Sequence, residues 1–394
     1  MTEWPYVRLS EVCEKPQYGA IAKGSAEPVG PLFVRQTDIA SGRIKWSSVP
    51  YCDLDPSEFE KYAIRPGDLL ISRLGNGVGN AATVSETRSA VFAGYLVRFQ
   101  ARASVAVPEF LGYQLQSKAW RQHVAGFRSG AAQPTLNAQQ MGDFQFTLPP
   151  LGLQRGIAAT LSALDDKIES NRHIEDLVLD LAEAMYVDEC AQGSELLLLK
   201  DSGRWLSGGT PSTSTTEYWG GDLPWISAAS LKSFYVDASD RTLTAAGAAV
   251  ATHIVPAGTV LMVVRGMSLK TEFRFGVAQR DVAFGQDCKA ILPRIDSSVL
   301  AVALRANRET ILGLVDEAGH GTGRLATDRL ERLPIEVPTD TRFAKVADSL
   351  LARGTQAARE NHHLVQFRDA LLPELISGRI RVPEAHRAVE EAIA

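Results

Sequence analysis

The amino-acid sequence predicts an α+β protein in which two mixed α/β regions alternate with two long helices, so that one unit occurs twice. Three observations predict it: segments that match at a spacing of about 189 residues, two long stretches with helical spacing of apolar residues, and a glycine-rich region of about 145 residues before each stretch. The predicted boundaries are 1–150 and 193–338 for the mixed regions, 151–192 and 339–380 for the central and distal helices, and 381–394 for a C-terminal tail. The duplication implies an internal pseudo-twofold repeat.

The repeat can be followed from segment to segment. FTLPP at Phe146–Pro150 precedes the central helix, and IEVP at Ile335–Pro338 precedes the distal helix. Further residues pair at the same spacing or at one residue more: Leu136 with Leu325, Leu161 with Leu350, Asn171 with Asn361, Leu177 with Phe367, and Leu181 with Leu371. Two copies of one fold are therefore expected.

The central helix is predicted near 152–189, where apolar residues recur at spacings of three, four and their multiples, beginning with Ile157, Leu161, Leu164 and Ile168. At about 1.5 Å per residue, a helix of about 31 residues spans roughly 46 Å, which suits a spacer. Residues 151–192 carry 3 basic and 9 acidic side chains, so this helix should avoid DNA phosphates.

The distal helix is predicted near 341–376, between Pro338 and Ser377-Gly378. Sevenfold spacing offers a coiled-coil seam at Phe343, Leu350, Ala357, Leu364 and Leu371. Gly354 is expected to weaken this helix by about 1 kcal/mol relative to alanine. Two arrangements stay open: the helices pair with each other, which the repeat favours, or each lies on its own domain.

Composition excludes several classes of protein. The 394 residues are 45% hydrophobic and 22% charged, with 41 basic and 46 acidic side chains and a net charge of -5, so any contact with nucleic acid must be local. The cysteines are too widely separated for a zinc site or a disulfide framework, which fits a reducing cytoplasm; they are Cys13, Cys52, Cys190 and Cys288. The N-terminus and the apolar window Val255–Val264 match neither an export signal nor a membrane span, so a cytoplasmic protein without membrane contact is expected.

The sequence contains no familiar catalytic motif. It has no phosphate-binding G-x-x-x-x-G-K-[ST], no H-E-x-x-H, no G-x-S-x-G, and no Asp- or Asn-Pro-Pro-aromatic tetrapeptide of the kind found in aminomethyltransferases. The alternating glycines of Gly75–Asn80 favour a tight hairpin over a nucleotide-binding loop. His362 and His363 would point about 100° apart on a helix, which favours a solvated face over a shared metal.

Polar residues in turn-rich stretches are the candidates for contact with DNA. Arginine, asparagine and glutamine can bond base edges bidentately. In the first region the candidates are Arg35, Gln36, Arg73, Asn76, Arg128 and Gln133. In the second region they are Arg265, Gln286, Lys289, His320 and Arg324, whose placement mirrors the first set. For each residue alone, a solvated loop charge or a local turn hydrogen bond remains the alternative.

With these features together, the whole chain resembles the specificity subunits of type I DNA restriction-modification systems. The resemblance rests on four stretches: Pro149–Tyr186, Ser207–Ile226 with GGTPS, YWGG and PWI, Gly285–Lys289 (GQDCK), and Phe367–Val382. The central helix carries the signature elements P-x-x-x-Q and L-D-x-K-I-x-x-N at Pro150, Gln154, Leu164, Asp165, Lys167, Ile168 and Asn171. The distal helix has lost the Q and D-x-K-I elements and keeps Asn361 and the closing LISGRI, which contains Leu375 and Gly378.

The resemblance implies a subunit that catalyses nothing and has no cofactor of its own. Two target-recognition domains would each read half of a split double-stranded DNA target, and two antiparallel helices would fix the distance between the halves. Two modification subunits would supply S-adenosylmethionine-dependent adenine methylation, and restriction subunits would supply ATP- and Mg-dependent translocation and cleavage. The signature residues are expected to bind these partners: Gln154, Leu164, Asp165, Lys167, Ile168, Asn171, Asn361, Leu375 and Gly378.

Two other functions stay open. A related chain that binds partners without reading DNA, acting as a decoy or regulator, would have the same helices. A stand-alone DNA methyltransferase or nuclease would need the catalytic motifs that this sequence lacks.

Overall fold

The computed structural model describes residues 4–40, 42–127, 135–318 and 322–393. The chain divides into two compact units: the first comprises Met1–Ile168 and His363–Ala394, and the second comprises Glu169–His362. Two long helices, α6 (Leu151–Gln192, 42 residues) and α11 (Arg342–Ser377, 36 residues), each contribute one part to either unit.

The first unit contains short strands and helices ahead of α6. Its strands are β1 Tyr6–Arg8, β2 Gln17–Tyr18, β3 Gly24–Ser25, β4 Leu32–Val34, β5 Ile39–Ala40, β6 Arg43–Ile44, β7 Tyr51–Cys52, β8 Asp68–Ser72, β9 Ala81–Thr83, β10 Ala90–Phe92, β11 Leu96–Gln100 and β12 Gln145–Thr147. Its helices are α1 Leu9–Val12, α2 Pro56–Tyr62, α3 Pro108–Gln114, α4 Lys118–Gly126 and α5 Ala138–Gly142. Every residue of β8, a central strand of the sheet β2-β11-β8-β9, is buried because its two faces contribute to two different cores: Leu69 and Ile71 to one, and Leu70 to the other.

The second unit repeats this plan. Its strands are β13 Ser194–Leu198, β14 Gly203–Ser207, β15 Trp219–Ile226, β16 Tyr235–Val236, β17 Thr242–Leu243, β18 Ile254–Val255, β19 Val260–Val263, β20 Arg265–Gly266, β21 Phe275–Ala278, β22 Val282–Phe284, β23 Cys288–Pro293, β24 Val315–Ala318, β25 Thr322–Leu325 and β26 Pro334–Pro338. Its helices are α7 Ala245–Ala251, α8 Ser297–Ala306, α9 Arg308–Leu312 and α10 Thr327–Glu331. The side chain of Asp296 caps α8 by accepting from Ser298 N and Val299 N.

Sheet topology makes the repeat explicit. The order β14-β23-β19-β21 in the second unit matches β2-β11-β8-β9 in the first. The parallel pair β15–β22 matches β4–β10, and the antiparallel pair β13–β26 matches β1–β12. The internal repeat predicted from the sequence is therefore present as two copies of one strand arrangement.

In each unit the helices pair with each other and also pack on the mixed region. In the first unit Leu161 and Leu164 of α6 share a buried core with Leu364 and Leu371 of α11 and with Phe110. Both arrangements left open by the sequence are thus combined in one core.

The second unit shows the direction of the helix pair. Glu175 bonds Asn361, Val178 lies beside Gly354, and Tyr186 packs on Phe343 with ring centroids 6.0 Å apart. As the residue numbers rise along α6, the numbers of the contacting residues on α11 fall, so the two helices run antiparallel there.

The predicted C-terminal tail contains a further helix, α12 (Val382–Ile393). Its Ala385 and Val389 are buried in the core of the first unit. Gly378, at φ +71°, ends α11 in the left-handed conformation, and a Cβ there would lie 2.8 Å from the ring of Trp4. None of the helices in the described ranges combines the length and apolar character needed to cross a membrane.

Candidate nucleic-acid interface

In the second unit, the turn from β22 to β23 meets two other segments. Gly209 N donates to Phe284 O at 3.0 Å, which joins the Gly208-Gly209 loop to the end of β22. On the other side, Val264 N donates to Asp287 O at 2.9 Å. We name the edge formed by 207–210, 264–266, 285–289 and 322–325 the second recognition edge.

Two arginines lie side by side at this edge. Arg265 and Arg324 are direct cross-strand partners in the sheet β20-β25-β24, and both are exposed. Neither side chain has a hydrogen bond or ion pair with any residue that the structure describes. The next residue in the row, Asp316, pairs with Arg329 at 2.8 Å. Like charges directly opposite each other are destabilising, so an anion between the two guanidinium groups would relieve the repulsion.

The other two described candidates in this unit, Gln286 and Lys289, differ in whether their side chains are hydrogen-bonded. Gln286 is exposed at the β22–β23 turn. Lys289 lies on β23, where its Nζ donates to Ser207 Oγ at 2.6 Å. The edge therefore presents Arg265, Arg324 and Gln286 with side chains that bond none of the described residues, and Lys289 bonded within it.

The first unit builds the same edge with equivalent backbone bonds. Ala20 N donates to Phe92 O at 2.8 Å, and Arg73 N donates to Tyr95 O at 3.0 Å. Gly19 and Gly208 are equivalent, and a Cβ on either would lie 2.3 Å or less from a carbonyl oxygen of the adjoining turn. Only glycine allows this close approach in both copies. We name the edge formed by 18–21, 34–36, 72–74 and 93–96 the first recognition edge.

The backbone bonds also define which residue of the second unit corresponds to Arg73. Leu136 N donates to Arg73 O, and Leu325 N donates to Val264 O, both at 2.9 Å. Arg73 thus corresponds to Val264, one residue before Arg265. Because successive strand residues face opposite sides, the two arginines are not equivalent.

Arg73 is half-buried at the first recognition edge. Its guanidinium carbon lies 4.9 Å from the ring centre of Tyr18, in cation–π geometry. Its Nη1 lies 3.5 Å from Gly94 O, and its Nε is buried without a partner. The tyrosine ring holds the side chain while part of its donor capacity stays unused.

Arg35 is committed to an internal ion pair. Its Nε and Nη2 donate to both carboxylate oxygens of Asp38 at 2.9 Å, and Nη2 also donates to Ser48 O. Asp38 is 1% exposed, so Arg35 neutralises a buried charge. The side-chain bond to Asp38 raises the pKa of Arg35. Neighbouring Gln36 accepts from Ser72 Oγ at 3.3 Å, which places it next to Arg73.

The side chains of the remaining candidates are outside the described part of the chain. Asn76 lies in the 3-10 turn Gly75–Gly77, and its side chain is outside the described part of the chain. Arg128, Gln133 and His320 lie outside the described residues.

Sequence reasoning missed the apolar residues of the first recognition edge. Ile21 is 99% exposed, Tyr95 is 56% exposed and Tyr18 is 42% exposed. The only sequence signal was positional, because Tyr95 occupies the place in the first copy that Asp287 of GQDCK occupies in the second.

The residues predicted to bind partner subunits lie mostly inside the chain. Gln154 is 1% exposed and bonds internally: its Oε1 accepts from Val107 N at 2.8 Å, and its Nε2 donates to Val105 O and Pro149 O. Leu164, Ile168 and Leu375 are at most 2% exposed, and Lys167 is half-buried. Their first role is to hold the helix pair and the mixed region together, and their role in partner binding stays a prediction.

Asp165 forms a buried network in the first unit. One carboxylate oxygen accepts from Tyr113 Oη at 2.7 Å, and the other accepts from Arg368 Nη1 at 2.8 Å. Burial, together with the carboxylate, raises the pKa of Tyr113 well above its ordinary value. The network joins α3, α6 and α11.

Two asparagines lie buried in the second unit. Asn171 is 1% exposed and its Nδ2 has no partner, whereas Asn361 donates to Glu175 Oε1 at 3.0 Å and its Oδ1 has no partner. Burial raises the pKa of Glu175. A buried polar pair of this kind can fix the register of helix pairing.

The described residues contain no group of His, Cys, Asp or Glu side chains that could hold a metal ion. All four cysteines are buried and free. Burial raises the pKa of the Cys13 and Cys288 thiols to about 12, so these thiols are poor nucleophiles and poor metal ligands.

Residues 1–179 match the protein family described as "Type I restriction modification DNA specificity domain". The specificity subunit of the type I restriction enzyme HindI from Haemophilus influenzae is 21% identical over 437 residues, covering 89% of this chain and 94% of the relative. That of EcoR124I/EcoR124II from Escherichia coli is 26% identical over 156 residues, 39% of either chain.

A solved structure supports the fold of this chain. The S subunit of a type I restriction-modification system from M. genitalium is 14% identical, covers 94% of this chain and 96% of its own, and superposes with a TM-score of 0.53. The resemblance and the fold class predicted from the sequence are confirmed. The prediction of a non-catalytic specificity subunit agrees with these relatives, which are named as specificity subunits.

Proposed function

We propose that this chain is a specificity subunit of a type I restriction-modification system and reads a bipartite double-stranded DNA target, with one half-site at each recognition edge. The observation that carries the proposal is the cross-strand pair of exposed arginines Arg265 and Arg324 at the second edge, whose side chains bond none of the described residues. The guanidinium groups of two neighbouring arginines suit a guanine edge or a backbone phosphate, which accept hydrogen bonds from arginine in DNA complexes. The first edge repeats the same backbone frame with Arg73 and Gln36.

The two long helices then serve as the spacer between half-sites. A helix of 42 residues is about 63 Å long at 1.5 Å per residue. The acidic character of α6 directs it toward protein partners and not toward phosphate. Leu177 and Leu181, each 50% exposed, lie four residues apart on α6 and present an apolar surface for those partners.

The partners in this proposal are two modification subunits and the restriction or translocase subunits of a cytoplasmic complex. They would bring S-adenosylmethionine, ATP and Mg, while this chain supplies target choice and scaffolding. The predicted domain boundaries of 1–150 and 193–338 belong to the same proposal, since each mixed region carries one recognition edge.

The test is the methylome of a restriction-deficient host that expresses this chain with its modification subunit. A new split motif with methylated adenine in both halves is expected, and it is absent when the modification subunit is expressed alone. A stable complex without new methylation would contradict the proposal and favour the decoy function.

The arginine pair has a matched control. Arg265→Ala with Arg324→Ala should relax one half-site only, because a good bidentate contact discriminates by about 1–3 kcal/mol. Arg294→Ala removes an exposed arginine that follows β23 at the end opposite the recognition turn, and should leave the motif unchanged. Loss of both half-sites from the double variant, with the complex intact, would refute the assignment of one half-site per edge.

A further inference from the structure

The two recognition edges share a backbone but differ in surface chemistry. Tyr95 corresponds to Asp287, and Ile21 corresponds to Thr210, by the equivalent hydrogen bonds of the two turns. The second edge carries two exposed arginines, whereas the first presents an isoleucine that is 99% exposed and a tyrosine that is 56% exposed.

Both apolar side chains belong to the first recognition edge. Gly94 N donates to Ala20 O at 2.7 Å, and a Cβ placed on Gly94 would lie 3.7 Å from Ile21 Cγ1. Tyr95 directly follows Gly94. Single exposed apolar residues are ordinary on protein surfaces, but these two residues lie on the two segments joined by that backbone bond, at the edge that the repeat marks for recognition.

A cation lies at the border of this surface. Arg73 stacks on Tyr18 at 4.9 Å, and the Oη of Tyr18 accepts from Ala138 N at 3.1 Å, so the ring is held in place. The buried Nε of Arg73 has no partner among the described residues. An apolar contact bordered by an anchored cation is complementary to a base carrying a methyl group next to a charged backbone.

We infer that Ile21 and Tyr95 read the first half-site through apolar contact with a thymine 5-methyl group in the major groove, while Arg73 contacts the adjoining phosphate. This inference rests on the proposed function. Thymine is the base that offers a methyl group at its major-groove edge, and apolar side chains distinguish it there. The two half-sites are therefore read by different chemistry on the same backbone frame.

The first test uses the complex with its modification subunit and synthetic duplexes of the methylated motif. Replacing the contacted thymine by 2′-deoxyuridine removes only the methyl group and should weaken binding about four-fold, the effect of one buried methyl. The same replacement in the second half-site should leave binding unchanged. In the Ile21→Ala, Tyr95→Ala double variant, deoxyuridine should cause no additional loss.

The second test is the methylome of that double variant. Discrimination at one half-site should fall about ten-fold, with the other half-site unchanged. Tyr6→Ala is the matched control, because Tyr6 is 66% exposed on β1, which pairs with β12 and not with the recognition strands. It should leave the motif unchanged.

The outcomes separate the two proposals. If the wild-type complex gives no split motif, the proposed function fails. If it reads a split motif but deoxyuridine has no effect in either half, or the double variant reads both halves as before, the inference fails alone. Loss of the modification subunit from the double variant during gel filtration would overturn the inference by assigning this surface to a protein partner.

Discussion

Replacing Gly354 by alanine is predicted to destabilise the second unit, although alanine is the better helix former. Gly354 is buried in α11, and a Cβ there would lie 1.7 Å from Tyr235 Oη and 2.3 Å from Tyr235 Cζ. Val178 Cγ2 would be 2.9 Å away. Tyr235 is itself 4% exposed, so its ring has little room to move.

The magnitude follows from two opposing effects. Helix propensity favours alanine by about 1 kcal/mol, the effect predicted from the sequence alone. Forcing a methyl group into a packed core costs about 1–3 kcal/mol and more when the neighbours are rigid. Since the contacts involve a buried ring and not the end of a flexible chain, we expect a net loss of about 1–2 kcal/mol.

The assay is urea unfolding followed by circular dichroism, with hydrogen exchange in α11 to locate the change. Gly152→Ala is the control, because a Cβ at this exposed position of α6 meets nothing within 4 Å and should be neutral or slightly stabilising. In a Tyr235→Leu background, Gly354→Ala should lose most of its cost. An increase in the unfolding midpoint for Gly354→Ala alone would refute the reasoning.

Three further predictions concern buried charges. Asp165→Leu should destabilise the isolated chain by about 3 kcal/mol, measured by urea unfolding, because Arg368 and the Tyr113 hydroxyl lose a buried acceptor. Adding Arg368→Leu should recover part of this loss. Unchanged stability of Asp165→Leu would mean that Asp165 acts only on partners. Burial raises the pKa of Glu175, so ionisation of this carboxyl group opposes folding as pH rises through that pKa. Glu175→Gln should therefore raise the melting temperature at pH 8 and change it little at pH 4. A lower melting temperature of the variant at pH 8 would contradict this. Arg35→Ala should lower the free energy of unfolding by about 2 kcal/mol, measured in urea, since the buried Asp38 loses its partner. An unchanged unfolding midpoint would return Arg35 to the DNA-contact candidates.

The architecture was predictable because it depends on patterns that are local in sequence. Sevenfold spacing from Phe343 to Leu371 predicts a helix seam whatever the tertiary context, and matched segments such as FTLPP and IEVP reveal the duplication directly. Helix propensity at Gly354 was the exception. There the tertiary contact with Tyr235 leaves no room for a Cβ, and no local sequence pattern contains that information.

The site was predictable only in part, because side-chain roles depend on register and packing. Arg265 and Arg324 were both named from the sequence, but their direct pairing follows from the register of β20 and β25. The two sets of candidates mirror each other only loosely, because the backbone aligns Arg73 with Val264 and not with Arg265, a shift of one residue that reverses the face. For Leu164 and Asp165, a motif identifies a family without saying whether a residue faces the chain's own core or a partner.

The recognition edges separate what must stay fixed from what can vary. Their frame is made of main-chain bonds, such as Arg73 N to Tyr95 O and Val264 N to Asp287 O, which any side chain permits. Only the close approach of Gly19 and Gly208 to the neighbouring carbonyls restricts side-chain identity. A tyrosine and an aspartate therefore occupy equivalent positions without altering the strands. It follows that residues at this turn can change target preference at little cost in folding, whereas substitutions at the two glycines remove the frame itself.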